Sequence, residues 1–149
     1  MLLAAVIVAV AIAGRGGDES EPSAKEYEAS VVNARDRVDF ALSEIQQAQS
    51  EDDFLDRLDD AGNLVEEAAD DLDDAGSPTR FEDESERLVR HLHQLSTDLQ
   101  GTAAQTREVG FKNLLAGAVG LNFASWDKAN ATLAELREQG VQVQPIGRH

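Results

Sequence analysis

Carboxylates are the main chemical resource of this chain. The densest run covers residues 51–74, where Glu51, Asp52, Asp53, Asp56, Asp59, Asp60, Glu66, Glu67, Asp70, Asp71, Asp73 and Asp74 face a single cation, Arg57. Several of these acids are four residues apart, as in Asp52/Asp56, Asp56/Asp60, Glu66/Asp70 and Asp70/Asp74. On a helix, each such like-charge pair costs roughly 0.2–0.5 kcal/mol. A helix here must therefore be held by its apolar face and by cations or basic neighbours. Arg80, Arg87 and Arg90 are the expected internal source of that charge. The surface invites divalent or organic cations, or a basic partner. Charge runs also serve simply to face water.

A sharper constellation lies where this segment ends. Asp71, Asp73, Gly76 and Glu82 fall at positions one, three, six and twelve of a twelve-residue calcium loop. Asp71, Asp73 and Glu82 are thus the candidate metal ligands, with calcium as the candidate ion. Two positions depart from the motif: Ala75 stands where an Asp or Asn belongs, and Pro78 where an aliphatic residue belongs. The loop also requires the preceding helix to stop near Leu72. The competing expectation is an ordinary helix end followed by a new helix start.

Other chemistries lack their residues. His91 and His93 are two apart, so on a helix they point in different directions and cannot share a metal. No Glu-x-x-His pair is present, so the di-iron pattern of ferritin-like bundles is missing. There is no Cys, which removes disulfides, thiolate metal sites and cysteine nucleophiles. Nucleophile elbows, phosphate loops and dinucleotide fingerprints are absent. The acids sit in solvated runs, without the burial that would set an acid/base pair apart. The expectation is a protein that is not an enzyme. The formal net charge of −16 opposes nucleic-acid binding and adsorption to an anionic membrane face.

The elements that must carry these residues are helices. Ser23 and Glu26 form a capping box after Pro22, followed by the stripe Tyr27, Val31, Ala34, Val38, Ala41, Ile45 and Ala48. Ser50 and Asp53 start a second helix with Phe54, Leu58, Ala61, Val65, Ala68, Leu72 and Ala75 on one face, ended by Gly76. Ser77 as cap and Pro78 in the first turn predict a third helix. Its stripe is Phe81, Ser85, Leu88, Leu92, Leu95, Leu99 and Thr102, weakening after Gly101 and breaking near Gly110. A fourth carries Trp126, Ala129, Leu133 and Leu136 and stops at Gly140, with Leu115, Val119 and Asn122 continuing its phase upstream. The run 114–124 reads either as a buried helical turn or as the loop between helices three and four. Ser85 and Asn122 are polar residues on apolar stripes, where they fix register or bond to backbone. Trp126, Phe123 and Phe111 are core aromatics, or the lining of a small end pocket.

Stripes that alternate spacings of four and three, joined by short turns, predict an all-α fold: an antiparallel up-down-up-down four-helix bundle over residues 23–140. The same pattern also allows two helical hairpins to pair as a homodimer. Residues 141–149 read as an extended tail with Val141, Val143 and Ile146 turned inward.

The start of the chain bears on location. Residues 2–13 are an unbroken apolar run, shorter than the roughly 20 residues a membrane-spanning helix needs but right for a signal-peptide core. Ala11, Ile12 and Ala13 make an A-x-A cleavage pattern, although the positive residues that usually precede the core are missing. Residues 1–13 are therefore read as a signal peptide or membrane anchor, and residues 14–22 as a polar linker. The junction Ala13, Gly14, Arg15, Gly16, Gly17, Asp18 resembles that of bacterial exported lipoprotein precursors. Arg15 stands where those precursors carry the lipidated Cys, so lipid anchoring does not carry over. The remainder resembles small exported helical proteins of bacteria with no assigned activity. The signal-like start, the linker and the patterned helices together lead to the expectation of an exported, extracellular or envelope-associated binding or structural module that is not an enzyme. Its partner would be a protein or envelope component with a basic surface. The alternative is a calcium-responsive module built on the second helix and the 71–82 turn.

Overall fold

The computed structural model describes residues 20–110, 112 and 123–147. The apolar start (residues 1–13), most of the linker, Phe111, and all of 114–124 except Phe123 and Ala124 lie outside the described residues. The described part is all-helical: α1 (Ala24–Ile45), α2 (Glu51–Ala75), a 3-10 turn (Thr79–Phe81), α3 (Glu82–Val109) and α4 (Ala124–Glu138). They pack as a helical bundle.

Local chemistry sets the first two helix starts. The Ser23 hydroxyl accepts from the Glu26 amide at 3.2 Å, and the Glu26 carboxylate accepts from the Ser23 amide at 2.8 Å. Two orphan donors are thereby satisfied. At α2 the Ser50 hydroxyl accepts from the Asp53 amide at 3.1 Å, but the Asp53 carboxylate reaches past Ser50 to the Gln49 amide at 2.7 Å. The third start differs from expectation. Ser77 caps nothing; Pro78 precedes the 3-10 turn, and α3 begins only at Glu82. The tighter turn delivers Phe81 into the core, where its ring stacks on Tyr27 with centroids 5.2 Å apart. α3 then runs unbroken through Gly101 and ends at Gly110, whose φ of 87° suits only glycine.

The stripes form one core around Val31, Val38, Leu58, Val65, Leu92, Leu95, Leu99 and Leu136, all nearly sealed from water. The burial of these side chains is the main term holding the acidic chain together, at about 1.5–3 kcal/mol each for the large ones. Small phase corrections occur at the ends. Leu55 rather than Phe54 is the buried residue at the start of α2, and Ala103 replaces Thr102 near the end of α3.

Cross-helix bonds record the packing order. Arg37 meets Glu67 and Asp71, whereas Arg57 meets Glu44. Arg107 meets Asp56 and Asp59, whereas His93 meets Asp70. Arg87 meets Glu135, whereas Ser125 meets Asp98. In each pair the numbers rise on one helix as they fall on the other, so chain neighbours run antiparallel. α1 and α4 make almost no direct contact. Residues 141–147, which form neither helix nor strand, lie between them with Val141, Val143 and Ile146 buried.

Candidate functional site

The acids singled out as calcium ligands do not converge. α2 stays helical through Ala75, so the loop expected over 71–82 is not formed. Asp71 and Asp73, two residues apart on that helix, leave it in different directions. Asp71 turns toward α1, where it pairs with Arg37 and borders a recess with Asn33 and Ala68. Asp73 and Glu82 border a different recess at the α2–α3 turn, with Thr79 and Glu86. Among the described residues, no group of three or more His, Asp or Glu side chains is placed to hold a metal ion. The turn is tied instead by the Glu21 carboxylate, which accepts from the Thr79 amide. That bond holds the Glu21 carboxyl below its ordinary range.

The histidines also part company. His93 approaches Asp70 of α2 at 3.5 Å. His91 lies on the α4 side, where partial burial, with Lys128, Arg90 and Arg87 nearby, pushes its pKa down. Trp126 is a core residue that donates through Nε1 to the Ile146 carbonyl at 3.4 Å. Ser85 is buried beside Tyr27. The Tyr27 hydroxyl is sealed from water, with Ser85 as its polar neighbour and no hydrogen bond of good geometry among the described residues. Burial raises the phenol pKa; Ser85 counters part of that rise and the Glu84 charge adds to it.

The cations that steady α2 are not the expected ones. Arg87 serves Glu84 and Glu135, and Arg80 lies over the Phe81 ring at 4.2 Å. α2 is served by Arg37 from α1, Arg107 from α3 and its own Arg57. The antiparallel register decides this, because it sets the far end of α3 beside the start of α2. Even so, Glu51, Asp52, Asp60, Glu66, Asp73 and Asp74 are exposed, and their carboxylates have no ion pair or hydrogen bond among the described residues. α2 thus presents a solvated row of net negative charge.

A second feature was not read from the sequence. Between the end of α1 and the start of α2 is a recess of about 320 Å³ with an apolar floor of Phe40, Ala41, Ala61 and Leu64. Phe40 is 58 % exposed, and Leu64 is half-buried. Both residues fall off the apolar stripes of their helices, which was the available signal. No helix among the described residues is long and apolar enough to cross a membrane.

Comparison with protein-family models, with curated proteins and with solved structures finds no match for this chain.

Proposed function

We propose that this protein is a non-enzymatic, exported or envelope-tethered helical bundle that works by binding a basic partner. The observation that carries the reading is the incomplete neutralisation of α2. Arginines from α1, α2 and α3 engage Glu67, Asp71, Asp53, Asp56 and Asp59, yet exposed acids remain along the helix without partners among the described residues. A field of one sign raises the local concentration and the encounter rate of an oppositely charged ligand. The apolar start with its A-x-A pattern supports export as the setting.

Two measurements test the two halves. For location, the intact mass of the protein is taken from each fraction of a secretion-competent bacterial host. A product starting at Gly14 outside the cytoplasm, or an uncleaved product in the membrane fraction, is expected. A full-length soluble cytoplasmic product overturns that half. For binding, the full chain is titrated calorimetrically with a basic helical peptide and with its acidic counterpart at physiological salt. Binding of the basic peptide alone is expected, and it should weaken when Asp60, Glu66 and Asp74 are together changed to Lys. Equal behaviour of the two peptides overturns the basic-partner reading.

A further inference from the structure

We infer that the recess between α1 and α2 is the docking groove for a basic amphipathic polypeptide segment, whose apolar side chain seats on Phe40 and Leu64 while its Lys or Arg reaches Asp60 and Asp56. The inference rests on the basic-partner reading above and gives it a place on the molecule.

The floor comes first. Phe40 and Val109 are the large apolar side chains left most exposed among the described residues, at 58 % and 46 %. A single exposed apolar residue is ordinary. Phe40 differs because it lines a depression together with half-buried Leu64 and the small residues Ala41 and Ala61. The small residues leave room, and the two large ones supply contact area. An aliphatic or aromatic side chain placed there would leave water, and anchors of this kind carry most of the affinity in peptide interfaces.

Charge then selects the occupant. Arg57 is braced by the Asp53 carboxylate at 2.9 Å, the Glu44 carboxylate at 3.3 Å and the Glu44 carbonyl at 3.0 Å. That network gives Glu44 and Asp53 one shared cation at the groove. Asp56 is shared with Arg107 of α3 at 3.2 Å. Asp60 borders the same groove, exposed, with no partner among the described residues. A ligand cation therefore meets Asp60 without having to displace anything, and Asp56 by exchange with Arg107. A second copy of this chain is a poor occupant. A two-fold contact would bring the acidic rim against itself in a molecule of net charge −16. The groove runs between two antiparallel helices, so a helical segment with apolar residues three and four apart follows its direction.

The test uses the full chain and a fluorescein-labelled 18-residue peptide with Leu on one face and Lys on the other. A second peptide has the same composition with Leu spread around the helix. Binding is followed by anisotropy at several salt concentrations. The ordered peptide is expected to bind at least about tenfold tighter than the scrambled one. Phe40→Ser, at an exposed position where helix content should hold by circular dichroism, is expected to weaken binding about tenfold, the usual loss of one anchor. Asp60→Asn should weaken it severalfold and flatten its salt dependence. Glu138→Gln, on the exposed end of α4, should leave it unchanged. If Phe40→Ser, Asp60→Asn and Glu138→Gln have equal effects, the attraction is general and the groove is overturned, while the basic-partner reading survives. If neither peptide binds, both readings fall. If sedimentation shows a dimer that Phe40→Ser dissociates, a second copy occupies the groove and the peptide occupant is overturned.

Discussion

The Asn130 side chain closes on both backbone groups of Ile146: its Nδ2 donates to the Ile146 carbonyl at 3.0 Å, and its Oδ1 accepts from the Ile146 amide at 2.7 Å. This pair fastens residues 141–147 to α4. On the other side, Arg35 donates to the Pro145 carbonyl through Nε at 3.0 Å and Nη2 at 2.6 Å. The Gln142 amide donates to Glu28 and the Gly147 amide to Asp39, at 2.8 and 2.7 Å. The tail therefore fills the seam that α1 and α4 leave open, and its backbone groups find side-chain partners in place of a strand.

Asn130→Ala removes both bonds to Ile146 and should cost about 1–3 kcal/mol of stability, because the Ile146 amide loses its partner and the carbonyl keeps only the longer bond from Trp126. Trp126 is the single tryptophan and lies under this part of the tail. Its fluorescence should shift to the red in the variant as the tail loosens. Unchanged emission and an unchanged melting temperature would show that the tail is held without Asn130.

Two mid-helix glycines should respond to alanine with opposite signs. A Cβ at Gly101 meets nothing within 4 Å, so Gly101→Ala should stabilise by about 0.5–1 kcal/mol through helix propensity. A Cβ at Gly62 would stand 2.6 Å from Gln100 Cγ and 3.2 Å from the Ser96 carbonyl oxygen. Gly62→Ala should push α2 and α3 apart and destabilise by about 1–3 kcal/mol, as overpacking does. Urea melts of the two variants check the contrast; the same sign for both would refute the close approach.

Tyr27 carries a sealed hydroxyl whose polar neighbour, Ser85, makes no hydrogen bond of good geometry with it. Tyr27→Phe keeps the stack on Phe81 and removes the unsatisfied group. It should leave stability unchanged or raise it by about 1 kcal/mol. A clear fall in melting temperature would mean that the hydroxyl is bonded in solution.

His91 sets an acid-side dependence. Its pKa in the folded chain lies below the ordinary 6.5 because of partial burial, with Lys128, Arg90 and Arg87 adding to the effect. The unfolded chain therefore takes up the proton first as pH falls. The stability linked to neutral His91 is full above the unfolded value and is lost as pH falls from there through the folded value. Melting temperature should decline less between about pH 7 and about pH 5 in His91→Gln than in the wild type. Parallel profiles would place His91 in a solvated setting.

Calcium should act on this protein as magnesium does. Asp71 is paired with Arg37, and Asp73 and Glu82 border a separate recess, so neither ion finds a converging set among the described residues. At matched ionic strength the two cations should raise the melting temperature equally, by screening the repulsion along α2. A rise specific to calcium would show that the acids gather around the ion in solution.

The sequence by itself determined the helices, because their causes are local. The capping pair Ser23 and Glu26, the spacing of Val31, Ala34 and Val38, and the stop at Gly140 all act within one or two turns. It likewise determined which faces are buried and that α2 is strongly acidic. Where local signals competed, tertiary contact decided. Phe81 docks on Tyr27, so α3 starts later than Ser77 and Pro78 announce. α2 keeps Asp71 helical beside Arg37, so the twelve-residue calcium loop is not formed. Which arginines serve α2, and that Phe40 and Leu64 share a groove, depend on residues far apart in the chain. Helical periodicity specifies a side chain's angle about its own axis. Only the packing of one helix on another specifies what that side chain meets.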